Sequence, residues 1–169
     1  MAIVIRKITP QDLDAWLELR VGLWAGDVNE HRAEVASYFI DGTLAGLPHA
    51  VFVADESDHR GNSRIVGFAE CSLRAANPDA AVSIVAHLEG WYVSPTHRRH
   101  GVGRGLIEAA ANWARSRGCA TLTSDTSSSY AALSTPAHLA CGFQIDRAIA
   151  EQMGPPEDGT TCIGFSRSV

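Results

Sequence analysis

Apolar residues along this 169-residue chain change their spacing several times, and each change marks an element. Ala2 to Ile8 is rich in β-branched residues and predicts a strand. Thr9-Pro10-Gln11-Asp12 supplies a helix start. Thr9 suits the N-cap, Pro10 the first turn, where its missing N–H costs nothing, and Asp12 can reach back to the exposed amides. Leu13, Trp16, Leu17, Val21 and Trp24 then recur at helical spacing, and Gly26 ends that helix. A second helix is expected from about Glu30 to Ile40, stopping at Asp41-Gly42. Two strands, Ala50 to Asp55 and Ile65 to Arg74, form a hairpin around the polar stretch Glu56 to Ser63. After a loop at Asn77 to Ala81, an extended strand runs from about Ser83 to Val93, where Ser94-Pro95 breaks it.

Beyond Gly101 the period becomes helical again. Val102, Leu106, Ala109, Ala110 and Trp113 line one face, and Gly118 provides the stop. Cys119 to Asp125 reads as a strand, Tyr130 to Ala140 as a short helix, and Phe143 to Ala150 and Cys162 to Ser168 as strands, with a loop at Pro155 to Gly159. Neither a repeat nor a linker interrupts the pattern. Residues 1–169 are therefore expected to form one α+β domain with a mixed central sheet, a strand–helix–strand crossover at its centre and about four helices.

Composition excludes more than it identifies. With 46% hydrophobic residues the chain can bury a sizeable core. Lys+Arg 14 against Asp+Glu 19 leaves a net charge of −5, which argues against a nucleic-acid partner, whose binders carry a basic footprint. No apolar run reaches the ~18 residues of a membrane span. The four cysteines, Cys71, Cys119, Cys141 and Cys162, form no C-x-x-C pair, and with no apolar leader they read as reduced thiols in the cytoplasm. His97 and His100 have a metal-like spacing, but no cysteine or carboxylate nearby in sequence completes a site, so no metal is expected.

The segment Val93 to Leu106, VSPTHRRHGVGRGL, carries the most chemical information. A strand runs into Arg98-x-x-Gly101-x-Gly103 and straight into a helix. Glycines there let the backbone approach a ligand, the first helical amides point outward unpaired, and Arg98, Arg99, His100 and Arg104 make the region basic. A pyrophosphate fits such a place; the plainer alternative is a solvated basic turn. The G-K-[ST] ending of a Walker loop is absent, and no acidic strand end follows at the dinucleotide distance. Glu89 and Asp125 are carboxylates inside otherwise strand-like segments, where they need a partner: either structural ion pairs or cationic groups of a substrate.

The strand–basic–glycine–helix order resembles motif A of the GNAT superfamily of N-acetyltransferases, whose R/Q-x-x-G-x-G/A loop holds the pyrophosphate of acetyl-CoA. Within it, Trp16, Arg20 and Trp24, then Gly67 to Arg74 (GFAECSLR), Leu88 to Val93 (LEGWYV), Ser124 to Ser127 (SDTS), and Ser134, His138, Gly142 and Phe143 resemble the aminoglycoside 6'-N-acetyltransferases. The resemblance implies a sheet whose two middle parallel strands splay into a V to admit the cofactor. It implies that the backbone of Trp91, Tyr92 and Val93 meets pantetheine, and that Arg98, Arg99, His100, Gly101, Val102, Gly103 and Arg104 cradle the pyrophosphate. Glu89 and Asp125 would contact the aminoglycoside or another cationic amine and relay its proton. Trp24 would pack on a sugar ring, with Asp27 on the neighbouring loop. The amine would attack the thioester directly, since no cysteine stands at a nucleophile position.

The chain also departs from that pattern. His138 stands where many members of the superfamily place a tyrosine as general acid, and is either a proton donor or a structural residue; Tyr130 is a second candidate beside the cofactor. A substrate-contacting tyrosine expected after Leu73-Arg74 is replaced near Asn77, and a carboxylate expected beyond Phe143 finds Arg147 at the nearest register, with Asp146 adjacent. The resemblance further implies a homodimer. Two alternatives stay open: a GNAT enzyme for another amine, such as a polyamine, an amino-acid derivative or a protein N-terminus, and a non-catalytic acyl-CoA-binding module.

Overall fold

The computed structural model describes residues 2–24, 26–57, 63–75, 84–156 and 159–169. Strand β1 (Ala2–Lys7) is followed by a 3-10 turn and two helices, α1 (Leu13–Leu23) and α2 (Val28–Asp41). A two-residue strand β2 (Thr43–Leu44) leads into β3 (Leu47–Ser57), β4 (Ser63–Ala75) and β5 (Ile84–Val93). Helix α3 (Val102–Ser116) and β6 (Thr121–Ser127) come next, then α4 (Ala131–Ala140), β7 (Gln144–Ile145), α5 (Arg147–Met153) and β8 (Cys162–Ser168). The strands form one mixed sheet in the order β1-β3-β4-β5-β6-β8-β7, with β2 on the side of β3. The expected α+β architecture is present.

Two faces of this sheet carry separate cores. On one, Trp16 and Leu17 of α1 and Val35 and Tyr38 of α2 pack over Val51, Val53 and Phe68. On the other, Leu106, Ile107, Ala110, Ala111 and Ala114 of α3 cover Ala54, Val66, Ala69, Ala86, Leu88 and Leu122. A buried charge joins the first layer. Glu70, 1% exposed, accepts from Trp16 Nε1–H and from Arg20 Nε–H, both at 2.8 Å, and Arg20 also donates to Glu34 of α2 at 2.7 Å. Burial pushes the Glu70 carboxyl upward against the pull of Arg20.

The central feature is how little β5 and β6 share. Their parallel pairing covers Ala86↔Leu122, His87↔Thr123 and Leu88↔Ser124, and stops. Beyond those rungs β5 stays with β4 as far as Gly67↔Val93, while β6 stays with β8 as far as Ser127↔Cys162. The expected V-shaped splay is therefore present. A bulge marks its root: Cys71 faces Leu88 and Glu70 faces Gly90, which leaves Glu89 as the extra residue on β5.

The structure corrects the sequence reading in two places. Five α-helices are described rather than about four, and the strand expected over Phe143 to Ala150 is instead β7, two residues long, followed by α5. The Asp146 side chain accepts from Ala148 N at 3.0 Å and starts that helix. Glycine at position 164 lets α5 lie against β8, since a Cβ there would stand 2.4 Å from Ala150 N. The expected loop at Asn77 to Ala81 lies outside the described residues, as do parts of the loops at Glu56 to Ser63 and Pro155 to Gly159.

Thr9 and Asp12 form the capping box their spacing predicts. Asp12 also accepts from Arg6 Nη1 at 2.7 Å and Nη2 at 2.8 Å, and this pairing holds its carboxyl at about 2, against 3.8 unpaired. A carboxyl lowered in the folded state stabilises the fold above its unfolded value and ceases to do so as pH falls toward the folded one. Asp12 is thus expected to contribute about 2 kcal/mol at neutral pH, lost between about pH 4 and about pH 2. Urea unfolding of wild type and Asp12→Asn across that range should converge at the acid end; a gap independent of pH would contradict this.

Candidate active site

The site is built where β5 and β6 part. Neighbouring residues on a strand turn their backbone groups to opposite edges. Ser94 N donates to Val66 O of β4 at 2.9 Å, so the peptide groups of Val93 and Trp91 face the other way, toward the edge that β6 has left. Arg98 Nε takes the Val93 carbonyl at 2.9 Å, and its guanidinium lies 5.6 Å from the Tyr92 ring centre. Arg98 therefore ties the loop to the strand end rather than reaching outward.

The loop itself is strained in a useful way. Arg99 has φ +68°, unusual for a residue with a Cβ, and Gly101 has φ +83°. The first bond inside α3 runs from Gly105 N to Gly101 O at 3.0 Å, so the amides of Val102, Gly103 and Arg104 precede the helical ladder and are open to an anion. Arg99, His100 and Arg104 are exposed around it, and Arg104 also donates to Ala140 O at 3.1 Å. A Cβ on Gly103 would stand 2.7 Å from Trp91 Cζ2, so this glycine is required by the indole beneath it as well as by any ligand above. The buried Trp91 Nε1–H has no partner among the described residues. An orphaned donor, free helical amides and a strand edge without a ladder fit a long, polyanionic cofactor with amide groups along its length.

The two carboxylates flank the root of the V, each one residue beyond the last shared rung. Neither is solitary. Glu89 receives a forked pair from Arg74, Nε to Oε1 at 2.9 Å and Nη2 to Oε2 at 2.5 Å, and a short bond from Ser72 Oγ. Asp125, about a third exposed, accepts from His87 Nε2 at 3.0 Å, and Cys162 Sγ of β8 lies 3.9 Å away. Below them the registers place His49, Ser72, His87, Thr123 and Ser166 side by side on five successive strands, a polar row across the sheet. Arg74, Ser72 and His87 were not singled out as site residues by sequence spacing. Their partners lie fifteen or more positions away, and only strand register reveals them.

His138 is 4% exposed and sits at ring distance from Trp91, Phe143 and Phe165. Nδ1–H donates to Ser134 O at 2.9 Å, leaving Nε2 to accept from Ser124 Oγ at 3.0 Å, and burial disfavours its charged form. Tyr130 is exposed at the start of α4. Trp24 lies across β5 beside Glu89: a Cβ on Gly90 would be 2.2 Å from Trp24 Cη2, and Arg20 stacks on the indole at 5.0 Å. Asp27 caps α2 by accepting from Asn29 N at 2.6 Å, and Asp146 caps α5 in the same manner. Asn77 lies outside the described residues.

Comparison with known proteins gives this geometry a setting. The family model described as acetyltransferase (GNAT) family matches residues 13–143. The aminoglycoside N(6')-acetyltransferase type 1 of Klebsiella aerogenes is 43% identical over 141 residues, covering 83% of this chain and 88% of the relative. Its namesake from Stenotrophomonas maltophilia is 40% identical over 141 residues, with 83% and 85% covered. Among solved structures, AAC(6')-Iy in complex with the bisubstrate analogue CoA-S-monomethyl-acetylneamine superposes with a TM-score of 0.70 at 32% identity, covering 85% of this chain and 92% of that one.

The seating of Trp24 on a bare strand position is open to direct test. Gly90→Ala is expected to push the indole off β5, cost about 1–3 kcal/mol in urea unfolding and change tryptophan emission. A variant with unchanged midpoint and spectrum would show that Trp24 is not held there.

Proposed function

Because the chain belongs to the acetyltransferase (GNAT) family, we propose that it is an acetyl-CoA-dependent acetyltransferase acting on the 6'-amine of aminoglycosides, and so confers resistance to them. The observation that carries this reading is the pairing of an anion site at the start of α3 with two carboxylates at the root of the V. Acetyl-CoA supplies an acyl group activated as a thioester. Around it, the amides of Val102, Gly103 and Arg104, with Arg99 and His100 nearby, hold the pyrophosphate. The Trp91 backbone groups and the Val93 N–H facing the V receive the pantetheine arm, and Arg98 holds the strand end through the Val93 carbonyl and the Tyr92 ring. Tyr130 borders the same channel.

The acceptor lies on the polar row, with ammonium groups on Glu89 and Asp125 and a sugar ring against Trp24. Glu89 keeps its place through Arg74 and Ser72, so an incoming ammonium shares this carboxylate with Arg74 rather than finding it bare. Asp125 is the more open of the two and takes the amine to be acetylated, along with its proton. Neutral His138 steadies Ser124 at the last shared rung. Asp27 and Asp146 are assigned to the acceptor's outer rings, as is Asn77, which lies outside the described residues. The same reading takes residues 1–169 as one domain, working as a homodimer in the cytoplasm.

Purified protein is expected to release thiol from acetyl-CoA with kanamycin- or tobramycin-like acceptors, and not with analogues whose 6'-amine is a hydroxyl. Asp125→Asn should lower kcat/KM for the acceptor about tenfold or more and leave the acetyl-CoA KM near that of the wild type. Turnover confined to polyamines or peptides in the same panel would replace the aminoglycoside assignment. Sedimentation at micromolar concentration tests the dimer.

A further inference from the structure

The acetyl-transfer reading leaves one buried titratable group beside the acceptor carboxylate without a role. His87 sits mid-strand on β5, 2% exposed, with Nε2 3.0 Å from Asp125 Oδ1 and Nδ1 2.8 Å from Thr123 Oγ1. A carboxylate only accepts, so Nε2 carries a proton whenever this contact is made. Nδ1 is not so constrained, because the Thr123 hydroxyl has two directions to point. Turned to Ala86 O, 3.2 Å away, it accepts from Nδ1–H, and the ring is an imidazolium. Turned to Nδ1, it donates, and the ring is neutral. Every ring contact is satisfied in both states, and Nε2–H stays on Asp125 in either.

Resting on the acetyl-transfer reading, we propose that His87 is a positioning residue for Asp125: Thr123 Oγ1 fixes the ring at Nδ1, and Nε2–H holds Oδ1, so the carboxylate is aimed before the cationic acceptor arrives. No bond is made or broken in this role. The neighbouring charged and titratable groups are Glu89 on β5, Arg74 on β4, Cys162 on β8 and, farther along the polar row, His49 on β3. Of these, Arg74 is bound to Glu89, burial pushes the Cys162 thiol up, and burial holds the His49 imidazolium down. Arg20 on α1 is paired with Glu70 and Glu34, and α5 meets this cluster through Met153, which carries no charge.

Two variants and two readouts test the proposal. His87→Gln keeps an N–H for Asp125; His87→Phe removes that donor. In calorimetry with tobramycin, His87→Phe is expected to bind about tenfold more weakly than wild type and to lose kcat, with partial rescue in His87→Gln. A His87→Phe variant equal to wild type, or a His87→Gln variant no better than His87→Phe, overturns the positioning role.

The second readout needs no turnover. In spectra of protein with ¹⁵N-labelled histidine, the His87 Nε2–H should be protected from solvent exchange and lose that protection in Asp125→Asn. Absence of a protected Nε2–H overturns the proposal even if aminoglycosides are acetylated, whereas failure of acetylation with the protected proton present rejects the aminoglycoside assignment alone.

Discussion

Everything in the active site depends on two parallel strands that share three rungs and then separate. A parallel pair with a full ladder satisfies its backbone internally and has nothing to offer a ligand. Here β5 and β6 stop after Leu88 and Ser124 because each is held by its other neighbour, β4 on one side and β8 on the other. The bulge that leaves Glu89 unopposed adds twist at that point and helps β5 turn away. The separation leaves the Trp91 peptide groups and the Val93 N–H without a ladder partner on β6, brings the start of α3 to the mouth of the cleft, and leaves Glu89 and Asp125 one on each side of its root.

The electrostatic character of the site differs from what a count of acids suggests. Both carboxylates are already partnered, Glu89 by a fixed guanidinium and Asp125 by an imidazole. Partners of this kind hold the carboxylates at the edge of a core where bare charges would be costly, and they keep the side chains aimed before anything binds. The cofactor end is treated differently. Exposed Arg99 and His100 and free helical amides there meet an anion with little to displace, while Arg98 is spent on the fold. The site thus pairs an open basic mouth with a screened acidic floor, a contrast that the chain's net charge of −5 does not reveal.

Much of this was legible in the chain before any coordinates. The capping box at Thr9, the helix after Gly101, the breaks at Ser94-Pro95 and the last strand from Cys162 all stand close to where periodicity and turn chemistry put them. These signals are local. What escaped was set across the sheet. Arg74 meets Glu89, and His87 meets Asp125 and Thr123, through strand register, and spacing along the chain carries no trace of register. The segment after Phe143 was misread for a related reason. Phe143, Ile145 and Ile149 suit a strand by composition, but the Asp146 cap and the space left by Gly164 on a distant strand let a helix form there instead. Propensity gave way to a tertiary fit that only the partner strand discloses.

The contact between Gly103 and Trp91 binds two positions into one hereditary unit. A glycine in such a loop is usually credited to the ligand alone, and on that account a lineage that changed its cofactor would relinquish it. Here the indole would still forbid any larger residue. Drift at position 103 is therefore closed until position 91 shrinks, and shrinkage at 91 by itself opens a void against the His138 ring. Natural variation should cross this barrier only by paired replacement, and a designer wishing to remodel the loop inherits the same epistasis.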